Sequence, residues 1–280
     1  MDYPSDIKIT EQDTKRFINI VKRHSQYDFS DYSIKSLTRR IDRILKDYML
    51  DIDTLIERII ADKKFLEEIV KAITVNTTEL FRDPEMWEEL LNIIPNFFPN
   101  VQELRIWHPG VSSGQELYSM EIILHILGKL DQATIFGTDI NVDILEIAKK
   151  GSYKIFDFDN YLENFQKALR NFPQIKFEHF FTIDEKKDTY EVKPLLKEYP
   201  IFLKHDLVND GNIFGTKFHI IMCRNVLIYF NHNLQNKIVN FFYKNLYKRG
   251  ILIIGRHESI INKISDKFEN KNCIYLKEDI

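Results

Sequence analysis

A short turn of small residues near the middle of the chain is the first place where this sequence could bind a ligand. Only 9 of the 280 residues are glycine, yet Gly110 and Gly114 both lie in the segment Pro-Gly-Val-Ser-Ser-Gly at 109–114. In an open α/β sheet, ligands bind beyond the carboxyl ends of strands, where small residues allow close approach and a helix N-terminus presents N–H groups. The glycine spacing of the turn is not that of a dinucleotide-binding or phosphate-binding loop. The turn therefore predicts either a cofactor site of another kind or only a tight connection between a strand and a helix.

Two acidic residues follow later predicted strands and could face the same ligand. Asp139 comes at the end of ATIFGTDI (133–140), about 25 residues beyond the turn, where nucleotide-binding α/β folds place an acid on ribose hydroxyls. Asp206 follows the short run IFLKHDL and could meet an adenine edge. Asp139 could equally cap the next helix, and Asp206 could be an exposed turn acid.

Side chains typical of hydrolysis or metal catalysis are not grouped in this sequence. Its 8 histidines are scattered, and no HExxH, CxxC or GxSxG pattern accompanies them. Cys223 and Cys273 lie far apart and predict neither a metal framework nor secretion. We therefore expect a reaction that needs no strong base and no metal ion.

Helical patterns occupy the first hundred residues. Within 33–49, four apolar residues recur at helical spacing: Leu37, Ile41, Ile44 and Tyr48. Basic residues occupy the opposite face of that helix: Arg39, Arg40, Arg43 and Lys46. Further helices are predicted over 54–70 and from Pro84 to Ile94, with Asp83 as the N-cap and Pro95 near the end. Thr74–Arg82 is then a polar connector.

After Pro99 the sequence pattern changes from helices alone to strands that alternate with helices. Strands are predicted at 104–107, 133–140, 250–255, 273–276 and within 218–230, and helices at 118–130, 142–150 and 234–247. This alternation predicts βαβ units and a mainly parallel sheet. The charged run 184–188, with strand-like residues on both sides, predicts an inserted β-hairpin. We expect a helical N-terminal domain with its connector over 1–82, and an α/β domain over 83–280 whose inserted β-subdomain spans approximately 153–205.

The overall charge gives no reason to expect nucleic acid or an anionic membrane as partner. The formal net charge is −3, the start of the chain is acidic and polar, and no apolar run approaches the ~20 residues that span a bilayer. We expect a cytoplasmic monomer without direct membrane insertion.

Four separated motifs follow one another along the chain. They read TVNTTELFRD at 74–83, RIW then GVSSGQELYS within 105–119, TDIN then GSY within 138–153, and CRNVLIYF at 223–230. In this order they resemble T-x-N-x-T-x-F-F-R, R-x-W…G-C-S-T-G-E-E-P-Y-S, T-D-I-D…G-x-Y and C-R-N-V-x-I-Y-F of the CheR family, the methyltransferases of chemotaxis receptors. The basic residues after Leu37 also resemble that family's second helix, so the resemblance covers nearly the whole chain.

The resemblance implies a Rossmann-like S-adenosylmethionine-dependent methyltransferase domain behind the helical one. It implies transfer of a methyl group to glutamate side-chain carboxylates of chemoreceptors, giving γ-glutamyl methyl esters and S-adenosylhomocysteine. Three residues would lie nearest the transferred methyl: Arg82, Arg224 and Tyr229. The cofactor-binding residues would be Asn76, Thr78, Arg82, Gly110, Glu116, Asp139, Asp206, Leu207, Asn225 and Val226.

The chemistry of such a transfer agrees with the missing base. A glutamate with a pKa near 4.3 is already ionised at neutral pH, so attack on a sulfonium methyl needs alignment and desolvation. Arg side chains can orient a carboxylate through two hydrogen bonds. Without the resemblance, Arg82 could instead form an ion pair with Asp83 at the start of a helix, and Tyr229 could cover the end of the sheet.

Departures from the family pattern leave other functions open. Gln115 replaces an acid and Leu117 a proline, which puts cofactor affinity in doubt. The alternatives are a methyltransferase of the same fold with another acceptor, and a non-catalytic cofactor-binding signalling module. The basic helix face is either solvated surface or a docking surface for the acidic helical bundle of a receptor.

Overall fold

The computed structural model describes residues 9–74, 78–155 and 158–278. The chain divides into two compact units, Met1–Val75 with Leu227–Lys237, and Asn76–Val226 with Ile238–Ile280. Residues 78–82, which we assigned to the helical domain, pack with the second unit. The exact domain boundary stays a prediction.

Four helices form most of the first unit: α1 (Glu11–His24), α2 (Ile34–Tyr48), α3 (Ile52–Ala61) and α4 (Lys63–Ile73). The pattern over 54–70 predicted one helix and was wrong, because Asp62 ends α3 and its carboxylate accepts hydrogen bonds from the first N–H groups of α4. Leu37, Ile41 and Ile44 are buried as predicted, whereas Tyr48 is 37% exposed. The later segment of this unit begins with a short 3₁₀ turn, Leu227–Tyr229.

The second unit contains the remaining helices and all ten strands of the described chain. In order these are α5 (Pro84–Phe97), β1 (Leu104–Pro109), α6 (Gln115–Ile126), β2 (Ala133–Asp139), α7 (Val142–Lys150), β3 (Ser152–Lys154), α8 (Phe158–Ala168), β4 (Phe181–Asp184), β5 (Thr189–Val192), α9 (Pro194–Lys197), β6 (Pro200–Lys204), β7 (Phe218–Cys223), α10 (His232–Asn245, whose first turns belong to the first unit), β8 (Leu246–Ile254), β9 (Phe268–Lys271) and β10 (Ile274–Lys277).

A seven-stranded sheet in the order β6-β2-β1-β7-β8-β10-β9 forms the centre of this unit. The first five strands run parallel, β10 pairs antiparallel with β8, and β9 pairs antiparallel with β10. Apolar side chains on the inner strands are fully buried, as expected where helices cover both faces. The predicted Rossmann-like architecture behind an all-helical domain is confirmed.

The strand order sets where a ligand can bind. From β1 the chain builds β2 and β6 on one side, and it returns to place β7 on the other. The crevice beyond the carboxyl ends of β1 and β7 is therefore the switch point at which open α/β sheets bind ligands.

A second, three-stranded sheet in the order β3-β5-β4 is formed by the segment between β2 and β6. Its β4–β5 hairpin has the predicted charged turn, with Ile183 paired to Tyr190. We placed 153–205 in the insert, but β6 pairs with β2 along its whole length and so belongs to the large sheet.

Helix α5 begins at Pro84 as predicted, but its N-cap and its C-terminal end differ from the prediction. It continues to Phe97, with Pro95 inside its last turn. Asp83 precedes it with φ +56° and makes no side-chain cap. None of the helices in the described ranges is long and apolar enough to cross a membrane.

Candidate functional site

The turn after β1 has backbone that only small residues suit. Gly110 and Gly114 have φ of +70° and +88°, and Ser112 between them has +53°. A Cβ placed on Gly110 would lie 2.5 Å from Cγ2 of Val226, which follows β7. Gly110 therefore lets the residue after β7 pack directly against this turn.

Asp139 joins the turn after β1 to the turn after β2. Its Oδ2 accepts the N–H of Ser112 at 3.0 Å and its Oδ1 accepts the N–H of Asn141 at 2.9 Å. Burial raises its pKa, and these backbone donors oppose the rise. Asp139 is not the N-cap of α7, which was the alternative role for it. Asn141 is the N-cap, and its Oδ1 accepts the N–H of Asp143.

A buried ion cluster lies beside this turn. The Arg224 side chain has no exposed surface; Nη1 donates to Oε2 of Glu116 at 2.5 Å, and Nη2 donates to Oδ2 of Asp83. Burial opposes the charge of Arg224, but the two carboxylates raise its pKa overall. Burial raises the pKa of Glu116, while Arg224 and Arg82 oppose that rise. The guanidinium thus joins Asp83, which directly follows the connector, to the first turn of α6.

Further hydrogen bonds hold the connector to the second unit. Phe81 has φ +50° and its N–H donates to Oγ of Ser119 at 2.9 Å. The carbonyl of Arg82 accepts from Nε1 of Trp87 at 3.0 Å. These bonds hold the backbone of Arg82 beside the cluster, and Thr78 lies half-buried at the start of the same stretch.

Asp83 is the functional candidate that the sequence reasoning missed. It was read as a helix cap or as a partner of Arg82, and it pairs with Arg224 instead. A signal was present, because an Arg at the end of an apolar strand needs acidic partners when it is buried.

The residues after β7 and β6 differ in how they are held. Asn225 has φ +59°, and its N–H donates to Oε2 of Glu258, which also accepts the N–H of Gly255. Asp206 accepts N–H bonds from Val208 and Asn209 and forms a self-contained turn, with Leu207 half-buried inside it. The roles of these residues toward the cofactor stay predictions.

Two predicted site residues are not among the described residues of the second unit. Tyr229 belongs to the first unit, where its carbonyl accepts the N–H of Ser33 at 2.8 Å, and its role near the methyl stays a prediction. Asn76 falls outside the described residues.

Three buried polar atoms at the carboxyl edge have no hydrogen-bond partner among the described residues: Nε2 of His108, Oγ of Ser112 and Nε of Arg224. Burial and the charge of Arg224 lower the pKa of His108 to about 3, so its ring is neutral. These atoms come from β1, the turn after it and the end of β7. Unpartnered donors and acceptors on converging elements fit a polar ligand at this edge.

The two departures in the turn have structural reasons. Gln115 is 7% exposed; it accepts from Oγ of Ser113 and donates to the buried Tyr190 hydroxyl at 3.5 Å. A neutral amide suits that surrounding better than a carboxylate. Leu117 is fully buried, and its Cδ1 occupies the space that a Cβ on Gly137 would need.

Comparisons with known families agree with this geometry. The sequence matches the family model "CheR methyltransferase, SAM binding domain" over residues 76–275 and "CheR methyltransferase, all-alpha domain" over 12–74. The chain belongs to the CheR methyltransferase family. It is 29% identical over 255 residues to the chemotaxis protein methyltransferase of Listeria monocytogenes, covering 90% of this chain and 92% of that one. It is 28% identical over 286 residues to that of Borreliella burgdorferi, covering 97% and 94%.

A third relative, chemotaxis protein methyltransferase 1 of Vibrio cholerae, is 33% identical over 210 residues, or 73% and 72% of the two chains. The resemblance drawn from the four motifs is confirmed, and the cofactor of this CheR methyltransferase is S-adenosylmethionine.

Proposed function

We propose that this CheR methyltransferase transfers methyl groups to glutamate side-chain carboxylates of chemoreceptors and forms γ-glutamyl methyl esters. The observation that carries the proposal is the connector, which holds Arg82 beside Glu116 at the carboxyl edge of the sheet. A carboxylate acceptor needs a cationic partner there rather than a base. The relatives named as chemotaxis protein methyltransferases support the same acceptor.

We infer the cofactor-binding roles from the positions of some residues and from the family motifs that the others match. Asp139, beneath the turn, would accept from the ribose hydroxyls, and Glu116, at the start of α6, would bind the amino end. Gly110 and Val226 would line the pocket by backbone and apolar contact. Asn76, Thr78, Asp206, Leu207 and Asn225 keep the cofactor contacts that the family motifs imply.

S-adenosylmethionine supplies a methyl group on a positively charged sulfur. The acceptor glutamate is ionised at neutral pH, so no residue has to remove a proton. Arg82 would orient the acceptor carboxylate through paired hydrogen bonds. Tyr229 keeps the role near the methyl that the resemblance implies.

The full burial of Arg224 favours a positioning role over direct contact with the acceptor. Both of its terminal nitrogens already bind carboxylates, and only Nε is left without a partner among the described residues. In this role it would fix Glu116 relative to the connector that carries Arg82.

The basic face of α2 would dock the acidic helical bundle of a receptor. Arg43 lies 3.6 Å from Asp47 and Lys46 lies 2.7 Å from Asp42, so two of its four cations are partly neutralised within the helix. Arg39, which is exposed, and Arg40 would then contribute most to docking. A monomeric, cytoplasmic enzyme fits this proposal.

Tritiated methyl transfer from S-adenosylmethionine tests the proposal. Receptor cytoplasmic fragments should be labelled and small carboxylic acids should not. Arg82→Ala should lower turnover about 100-fold, the loss expected for one positioned charge contact, without changing the melting temperature. The exposed control Arg23→Ala should retain wild-type turnover. Labelling of another acceptor class, or none, would reject the proposal.

A further inference from the structure

The edge of the large sheet opposite the cofactor site contains an open cleft of about 500 Å³. It lies where α5 ends and where β7 and β8 begin. His219 in the cleft and Arg224 at the other edge are five residues apart along β7, which is about 17 Å of extended chain. The cleft is therefore separate from the cofactor site.

The floor of the cleft consists of rings that other residues hold in place. The His219 ring centroid lies 5.4 Å from that of Phe98 and 4.6 Å from that of Tyr247. Nδ1 of His219 accepts the backbone N–H of Arg105 at 3.0 Å, which leaves Nε2 as the protonated nitrogen of a neutral ring. Burial and the charge of Arg105 lower the pKa of His219 to about 4. The floor is thus aromatic and uncharged.

The rim of the cleft is cationic. Lys217, Lys248 and Arg249 are exposed on it, and none of the described lining residues is acidic. Arg105 behind the floor differs, because it binds Glu103 at 2.7 Å and the Tyr247 hydroxyl at 3.0 Å. No carboxylate pairs with the rim cations among the described residues, although Cζ of Arg249 lies 5.4 Å from the ring centroid of Phe97. The charge of Arg105, by contrast, is already matched by Glu103.

The pKa of Lys277, a lysine near the cleft, also reflects the positive charge of the rim. Nζ of Lys277 donates to the carbonyls of Tyr243 and Leu246. Burial lowers its pKa, and the charges of Lys217 and Lys248 contribute to the decrease. A local excess of positive charge on a chain with a net charge of −3 attracts anions.

We propose that this cleft binds a nucleotide, with the base against the aromatic floor and the phosphates between the rim cations. Its volume lies within the range of small-molecule sites. Arg and Lys side chains hold phosphates through charge-assisted hydrogen bonds, and aromatic rings stack on bases. A bare inorganic anion would gain nothing from the rings, so the pairing of rings with cations favours a phosphorylated aromatic ligand.

Isothermal titration calorimetry of the full chain with guanosine diphosphate tests this site. The protein is first saturated with S-adenosylhomocysteine, so that the cofactor site cannot take up the probe. We expect one nucleotide per chain, with guanosine and pyrophosphate each binding at least tenfold more weakly. The double variant K248A/R249A should bind at least tenfold more weakly than wild type. The matched control Lys149→Ala, which removes an exposed lysine paired with Glu146 on α7, should bind as wild type does.

Three results would overturn the proposal: no saturable binding of guanosine diphosphate, equal affinity for pyrophosphate, or unchanged affinity in the double variant. Circular dichroism of K248A/R249A shows whether a loss of binding reflects lost charge or lost fold. Since both side chains are exposed, we expect a wild-type spectrum.

Discussion

The two edges of the large sheet carry their charges in opposite ways. At the carboxyl edge, Arg224 has no exposed surface and binds Asp83 and Glu116. At the other edge, Lys248 and Arg249 are exposed on the rim of the cleft. A buried charge costs several kcal/mol unless it is paired, whereas an exposed one stays hydrated. Burial and pairing therefore hold the charges at the carboxyl edge in one geometry. The exposed charges at the other edge remain able to bind an anion.

This difference separates two kinds of function. A transferred methyl group needs reactants held in one alignment, and a paired guanidinium provides it without rearrangement. Reversible ligand binding needs charges that are not already satisfied. Each prediction below changes one side of this contrast.

Removing the buried guanidinium of Arg224 should have the largest of these effects, a loss of folding stability. Arg224→Met leaves the carboxylates of Asp83 and Glu116 partly buried and unpaired, so the free energy of unfolding should fall by about 3–5 kcal/mol. Urea denaturation measures this loss. The triple variant D83N/E116Q/R224M should recover part of it, because the carboxylate charges are gone. An equal loss in both variants would show that packing, not charge, holds the cluster.

Asp139 and Asp206 end neighbouring strands and form a matched pair. Asp139→Ala removes a buried carboxylate beneath the turn, so affinity for S-adenosylmethionine should fall about 100-fold, as expected for lost charge-assisted hydrogen bonds. Asp206→Ala removes a less buried carboxylate that already accepts N–H bonds within its own turn, so the loss of its cofactor contact should cost less than about tenfold. Titration calorimetry measures both, and equal losses would remove the distinction between the two acids.

His108 should make stability sensitive to acid. It is neutral in the folded protein, with a pKa near 3, and near 6.5 when unfolded. The unfolded state therefore binds an extra proton below pH 6.5, so stability present above that pH is lost as the pH falls, by at most about 1.4 kcal/mol per pH unit. His108→Gln should flatten the pH dependence of unfolding between pH 6.5 and 4. Parallel profiles would contradict this account.

The smallest effect is expected at the helical unit. The double variant R39E/R40E should slow receptor methylation a few-fold at low salt, and the difference should vanish at high salt because exposed charges are screened. Lys64→Glu, an exposed reversal on α4, is the matched control. Equal rates for wild type and R39E/R40E at low salt would leave this face as solvated surface.

Periodicity predicted most of the fold correctly where buried faces dictate it. Helix α7 and the parallel pairing of the strands around β1 follow from apolar spacing and from the alternation of strands and helices. The break at Asp62 escaped this reasoning because its flanking helices share one apolar period, and only the side-chain cap divides them. Pro95 escaped it because a proline near a helix end can remain inside the last turn.

The site was less predictable because its contacts join residues far apart in sequence. Motifs identified Glu116 and Arg224, but nothing local shows that Asp83 turns away from its own helix to reach Arg224. That contact depends on the left-handed backbone at Asp83, which a non-glycine residue rarely adopts. Long-range pairing of charges follows from the fold and cannot be read from spacing.

Peptide mapping by mass spectrometry after methyl transfer to a receptor fragment tests the central claim most directly. The account predicts that each added methyl lies on a glutamate side chain and is released as methanol by mild alkali. An alkali-stable methyl group, or one on a lysine, an arginine or a small molecule, would contradict it.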